Sequence, residues 1–151
     1  VAPAHITLNS VMSEKSIPKA NAKSWYIVDG SFMNDLKDTW AIHQKFHVIP
    51  GNNMHSSLKT TWFAGSTCDS DDKYTAGGNY ILMPKIHEDR DNQLVAILDT
   101  GAYQDGLASH HCLLSLPVKI VAQDGTTKVV RKRETPDVIG KMFGWTNGDH
   151  K

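Results

Sequence analysis

The sequence predicts a mainly β domain with only short helices. Several short runs of β-branched and aromatic residues are each closed by Gly, Pro or Asp-Gly turn signals. Only two stretches carry helical cues. The chain has 151 residues, which is the size of one domain with its own core, and we read 1–151 as a single β domain.

In chain order, Val1 to Lys15 is small and apolar in places, and Ile6, Leu8, Val11 and Met12 read as a ragged helical stripe. Ser16 to Lys23 is a polar loop around Pro18. Trp25 to Val28 is a strand closed by Asp29-Gly30, and Asn34 to Trp40 is polar. Phe46 to Ile49 is extended and stops at Pro50-Gly51. Leu58 to Ala64 is a strand, 73–79 a loop, and Asn79 to Met83 a strand ended by Pro84. A charged loop over 87–92 precedes Leu94 to Leu98, whose unbroken apolar run fits a strand buried on both faces. Val118 to Ala122 and Thr127 to Val130 flank Asp124-Gly125, a hairpin signal. Thr135-Pro136 begins a short helix as N-cap and first-turn proline, and Gly144 ends it. The tail beyond Gly144 reads as loosely ordered.

Sixteen basic and sixteen acidic residues leave no net charge, so no global field recruits nucleic acid or a membrane surface. Arg131, Lys132 and Arg133 read as a solvated strand end. No apolar run has membrane-span length and no signal segment opens the chain. Two cysteines make no disulfide framework. A cytoplasmic protein is the expectation, and from the start at Val1 a processed, trimmed or incompletely determined product is expected. Repeats, low-complexity tracts and phosphate-cradling glycine loops are absent.

The most informative stretch is Thr61 to Asp72. A strand breaks at Gly65 into a loop that holds Cys68 among Ser66, Thr67, Asp69, Ser70, Asp71 and Asp72. A free Cys is usually buried as a small hydrophobe, so a thiol in a polar loop at a strand end suits chemistry as well as accident. The neighbouring carboxylates favour a neutral thiol that donates a proton over a resting thiolate. Asp99 to Tyr103 is a second polar break at a strand end, and two such breaks suggest one site at one end of a sheet. Potential metal ligands are sparse. His43 and His47 share a face only if that run is helical, and on a strand only His110 and Cys112 of the His-His-Cys run converge. No metal site is assigned.

Four motifs together resemble the C-terminal β domain of the fold-type III pyridoxal-phosphate decarboxylases, the ornithine, arginine and diaminopimelate enzymes. Trp62 to Asp69 resembles the segment with the family's active-site Cys and following Asp. Gly101-Ala102-Tyr103 resembles its Gly-Ala-Tyr, whose tyrosine touches the cofactor phosphate. Tyr26 to Phe32 resembles the strand and turn ahead of the Cys motif, and Arg131 to Phe143 the closing arginine-rich strand and helix. All four stand in the family's order and span nearly the whole chain.

The resemblance implies a Greek-key-like β domain whose partner (β/α)8 barrel lies outside this chain. Val1 to Ala4 would be the end of the strand that leaves that barrel. It implies Cys68 as proton donor, Asp69 as the group that binds the distal cation of a basic amino acid, and Tyr103 with Gly101 at the phosphate. Pyridoxal phosphate would belong to the complete enzyme of polyamine biosynthesis, cytoplasmic or plastid, with none held by this chain alone. The partner would be a second copy in a homodimer or a separate barrel-bearing chain. Lys19-Ala20-Asn21 matches the family's cofactor-lysine triplet but lies in a polar loop of the β domain, so Lys19 is not assigned that role. His111-Cys112 replaces the family's Phe-Asn. The alternative reading is a non-catalytic, stand-alone β domain for binding or storage, or a stable proteolytic remnant.

Overall fold

The computed structural model describes residues 1–18, 20–86 and 92–146. Lys19, most of the charged 87–92 loop and the end of the tail lie outside the described residues. The chain divides into two compact units, Val1–Ala108 and Ser109–Lys151.

The first unit is a seven-stranded sheet. Its strands are β1 (Ile6–Ser16), β2 (Ser24–Val28), β3 (Val48–Pro50), β4 (Leu58–Ala64), β5 (Lys73–Tyr74), β6 (Ile81–Pro84) and β7 (Leu94–Leu98). They run in the order β3-β7-β1-β2-β4-β5, with β6 also pairing with β4. Sequence-distant strands thus lie side by side, in keeping with the Greek-key-like expectation. The second unit carries the hairpin β8 (Lys119–Gln123) and β9 (Thr126–Arg131), turned at Asp124 and Gly125, both at positive φ. The predicted strands therefore form within a residue or two of their expected bounds.

The first fifteen residues correct the sequence reading. They form strand β1, not a helix, preceded by a short 3-10 turn at Ala2–Ala4. Ile6 and Leu8 alternate with Thr7 and Asn9, which is period two. The alternation is inverted, however: Asn9 is buried, while Ile6, Leu8 and Met12 face outward. A polar inward face hides the usual strand signature. The N-terminal half of β1 pairs with β7 and its C-terminal half with β2, and the register shifts between Val11 and Ser13. This bulge lets one long strand serve two neighbours.

The core comprises Tyr26, Val28, Phe32, Leu36, Phe63, Tyr74, Met83, Val95 and Ile97. β7 fits its sequence reading, with Val95, Ala96 and Ile97 all buried. Tyr26 is fully buried, and its hydroxyl donates to the Pro84 carbonyl at 2.7 Å, which satisfies the polar tip. Leu36 comes from Asn34 to Trp40, expected to be merely polar, and Phe32 stands just ahead of that segment. The stretch folds as two short helices, α1 (Phe32–Asp35) and α2 (Lys37–Ala41). A third, α3 (Gln104–Leu107), follows β7.

In the second unit, α4 (Pro136–Met142) has Thr135 as N-cap, its side chain accepting from Val138 N, and Gly144 stands at φ +88° just past the end. The His110-His111-Cys112 run is not a strand. His111–Leu113 form a 3-10 turn with Cys112 and Leu113 at positive φ, so the alternation argument for His110 and Cys112 does not apply. His110 instead pairs with Glu134 at 2.8 Å, and Glu134 also accepts from Leu116 N at 3.0 Å. No helix among the described residues is long and apolar enough to cross a membrane.

Candidate functional site

Strand polarity decides where the two polar breaks fall. β2 and β7 both run antiparallel to β1, and β4 runs parallel to β2. The C-terminal ends of β2, β4 and β7 therefore point the same way. The Cys68 loop leaves β4, the Asp99–Tyr103 break leaves β7, and the Asp29-Gly30 turn leaves β2 between them.

The Cys68 loop is built around Asp72, which is buried although its neighbours Ser70 and Asp71 are exposed. Asp72 Oδ1 accepts from Phe32 N at 2.7 Å and from Met33 N at 3.4 Å. Its Oδ2 accepts from Thr67 N at 3.2 Å and Thr67 Oγ1 at 2.6 Å. The backbone donors of Phe32 and Met33 are the first orphans of α1, so a residue forty positions away completes that helix's N-terminus. Ser31 serves the next one, its hydroxyl accepting from Asn34 N at 3.2 Å. Gly65 is required here, because a Cβ would stand 2.2 Å from Asp72 Oδ1. Cys68 is exposed at the tip. The Asp69 carboxylate accepts from Asp71 N at 2.8 Å, a local turn that fixes its direction.

The second break is held differently. Asp99 and Tyr103 both adopt positive φ, +62° and +65°, which costs a non-glycine residue on the order of 1–3 kcal/mol. Tyr103 is 76 % exposed at the N-cap of α3. Gly101 donates its N–H to Ala2 O at 3.0 Å, and a Cβ there would meet Val1 O at 2.2 Å. The glycine thus lets the N-terminal turn close over the break. Thr100, buried, pairs its hydroxyl with that of Thr7 at 3.0 Å. His47 Nδ1 stands 3.4 Å from Asp99 Oδ2, with both side chains well exposed.

Sequence reasoning missed two residues. One is Asp72, indistinguishable by type from Asp69 and Asp71. The other is Gln104, buried next to Tyr103, whose Nε2 donates to Asp38 Oδ2 at 2.7 Å while its Oε1 accepts from Asp38 N at 3.3 Å. His43 and His47 lie in an irregular segment, and His43 takes φ +56°, so they share no helix face. Among the described residues no three His, Cys, Asp or Glu side chains cluster to hold a metal.

Tyr103 presents an exposed phenolic hydroxyl that can donate or accept, and Cys68 an exposed thiol next in sequence to the oriented Asp69 carboxylate. Known decarboxylases resemble this chain over most of its length. The diaminopimelate decarboxylase of Bacillus subtilis (strain 168) is 28% identical over 144 residues, covering 94% of this chain and 30% of the relative. The biosynthetic arginine decarboxylase of Prochlorococcus marinus (strain AS9601) is 33% identical over 139 residues, covering 82% and 21%. The chain therefore spans a third or less of these relatives.

Among solved structures, that of Helicobacter pylori diaminopimelate decarboxylase complexed with L-lysine superposes with a TM-score of 0.77 at 22% identity, covering 95% of this chain and 32% of that one. AQ1208 from Aquifex aeolicus gives 0.79 at 20% identity, covering 94% and 33%. These likenesses show the shared fold. Residues 3–101 match the family model described as the C-terminal sheet domain of pyridoxal-dependent decarboxylases. With that match across most of the sheet unit, the chain belongs to the family of pyridoxal-dependent decarboxylase C-terminal sheet domains.

Proposed function

We propose that the chain is the sheet-domain portion of a basic amino-acid decarboxylase of the arginine or ornithine type. The observation that supports this reading is that the Cys68 and Tyr103 breaks leave the same end of the sheet, in a chain of this family. When bound in the complete enzyme, pyridoxal phosphate supplies the electron sink for loss of carbon dioxide. The residues of this chain do the rest of what can be assigned. Cys68 Sγ hands a proton to the substrate carbon that has lost carbon dioxide, and solvent restores it at the exposed loop. Asp69 attracts the distal cationic group of the substrate in a charge-assisted contact. Tyr103 donates its phenolic proton to a phosphate oxygen. Gly101 has its amide committed to Ala2, so its part is to shape the break that presents Tyr103.

By this reading the isolated chain is inactive. One hydrogen bond to a charged phosphate is worth about 1.5–3 kcal/mol net. Immobilising a free cofactor costs about 4 kcal/mol or more. The remaining contacts, and the lysine that anchors the cofactor, come from the barrel that lies outside this chain.

The test is reconstitution. Purified chain is mixed with a barrel-bearing decarboxylase chain that lacks its own sheet domain, and carbon dioxide release from arginine and ornithine is measured. Activity that needs both chains, and is lost with Cys68→Ala at unchanged stability, is the expected outcome. Full activity with Cys68→Ala would remove the thiol from the reaction. Absence of activity with every barrel chain tried would favour a stand-alone binding domain.

A further inference from the structure

We infer that Asp72 and Gln104 are positioning residues that fix the separation of Cys68 and Tyr103 through the α1–α2 segment. The inference rests on the reading that those two residues serve one site. Each lies in an exposed break, and each has a sequence neighbour tied to the same short helical segment. Thr67, just before Cys68, gives its N–H and its hydroxyl to one oxygen of Asp72, while the other oxygen takes the first amides of α1. Gln104, just after Tyr103, exchanges two hydrogen bonds with Asp38 at the start of α2. Both anchors are about 3 % exposed. Their polar groups are therefore shielded from water, and releasing them leaves buried donors without partners.

Leu36 closes the linkage. It joins α1 to α2 and is 2 % exposed in the core, so the two helices cannot slide apart without opening it. The Ser66 amide adds a bond to Gly30 O at 3.0 Å, which holds the loop against the turn ahead of α1. A continuous path of bonded groups thus runs from Thr67 through Asp72, α1, α2 and Asp38 to Gln104. Neither anchor reaches solvent to touch a substrate. What they set is geometry, and a site assembled from two loops works only when its groups are held to a fraction of an ångström.

The experiment reads that geometry without reading catalysis. In a Cys112→Ser background, nitroxides are placed on Cys68 and on Gly106→Cys. Gly106 is an exposed α3 position where an added Cβ meets nothing within 4 Å. Electron paramagnetic resonance then gives the label–label distance distribution. We expect a narrow distribution that broadens and shifts with Asp72→Asn and with Gln104→Leu, but not with Ile97→Val, a core change that only lowers stability. If Asp72→Asn fails to fold, Thr67→Val removes one of its four donors and is expected to broaden the distribution less. An unchanged distribution in the folded anchor variants, or equal broadening in Ile97→Val, overturns the inference. Because no turnover is measured, failure here is separable from failure of the decarboxylase reading.

Discussion

The two breaks at the ends of β4 and β7 solve one problem by opposite means. The Cys68 loop is fixed by a buried carboxylate that collects four donors, and none of its residues takes a positive φ. The Asp99–Tyr103 break carries backbone strain at two residues, and it stays put because the N-terminal turn and Gln104 over-determine it. Removing the key group from the first should unlock it. Removing the strain from the second should relax it. The difference predicts mutational effects of opposite sign at the two ends of one site.

The largest effect is expected at Asp72. Asp72→Ala strands the Phe32 and Thr67 amides in a buried setting and should cost about 3 kcal/mol. Urea denaturation checks this, as a fall in midpoint at unchanged slope. A loss below about 1 kcal/mol would mean water satisfies those amides and the loop is not clamped.

Gly101→Ala comes next. Its Cβ would press on Val1 O at 2.2 Å, where backbone must shift, at about 1–3 kcal/mol. The comparison sharpens if deleting residues 1–4 removes that penalty, since the clash would go with them.

At Tyr103 the sign reverses. Tyr103→Gly relieves φ +65° and should raise stability by about 1 kcal/mol. Tyr103→Phe, which keeps the strain, should leave stability unchanged while weakening the reconstituted enzyme's affinity for pyridoxal phosphate. A stabilised Tyr103→Gly that keeps that affinity would show that the phenol makes no contact with the phosphate.

The same contrast explains what was legible in the sequence. Turn chemistry is written locally: while Gly101-Ala102-Tyr103 is legible through the family resemblance, Asp124-Gly125 and Thr135-Pro136 announce themselves within a few residues. So does a strand buried on both faces, as Leu94–Leu98 shows. The clamp is written non-locally. Nothing distinguishes Asp72 from Asp69 and Asp71 until the fold brings it under α1, and α1 itself is too short to form without that distant acceptor. Ser31, whose hydroxyl accepts from Asn34 N, is the one local N-cap residue here, and the sequence reading made no use of it. β1 was misread for a related reason. Its apolar residues face outward and its buried side carries Asn9, so the pattern reports the wrong face.

The smallest expected effect lies at the opposite end of the same strands, and it serves as the control. There Glu14, near the end of β1, accepts from the Ser24 hydroxyl at the start of β2 and from Lys59 near the start of β4. Burial pushes its carboxyl up, but the hydrogen bonds of Lys59 and Ser24 and the charge of Lys59 together outweigh it, and the group titrates below the ordinary carboxylate range. A carboxylate with a depressed value in the folded state contributes stability that is fully present above its unfolded value and is lost as pH falls through the folded one. The pair is partly exposed, so the contribution should be no more than about 1 kcal/mol. Denaturation of Glu14→Gln against the parent should therefore show a small deficit near neutral pH that vanishes in acid. The nitroxide distribution across Cys68 and Gly106 should be the same in Glu14→Gln as in the parent at neutral pH. If it broadened there, the separation of the two breaks would depend on the whole sheet and not on the Asp72 and Gln104 anchors beside them.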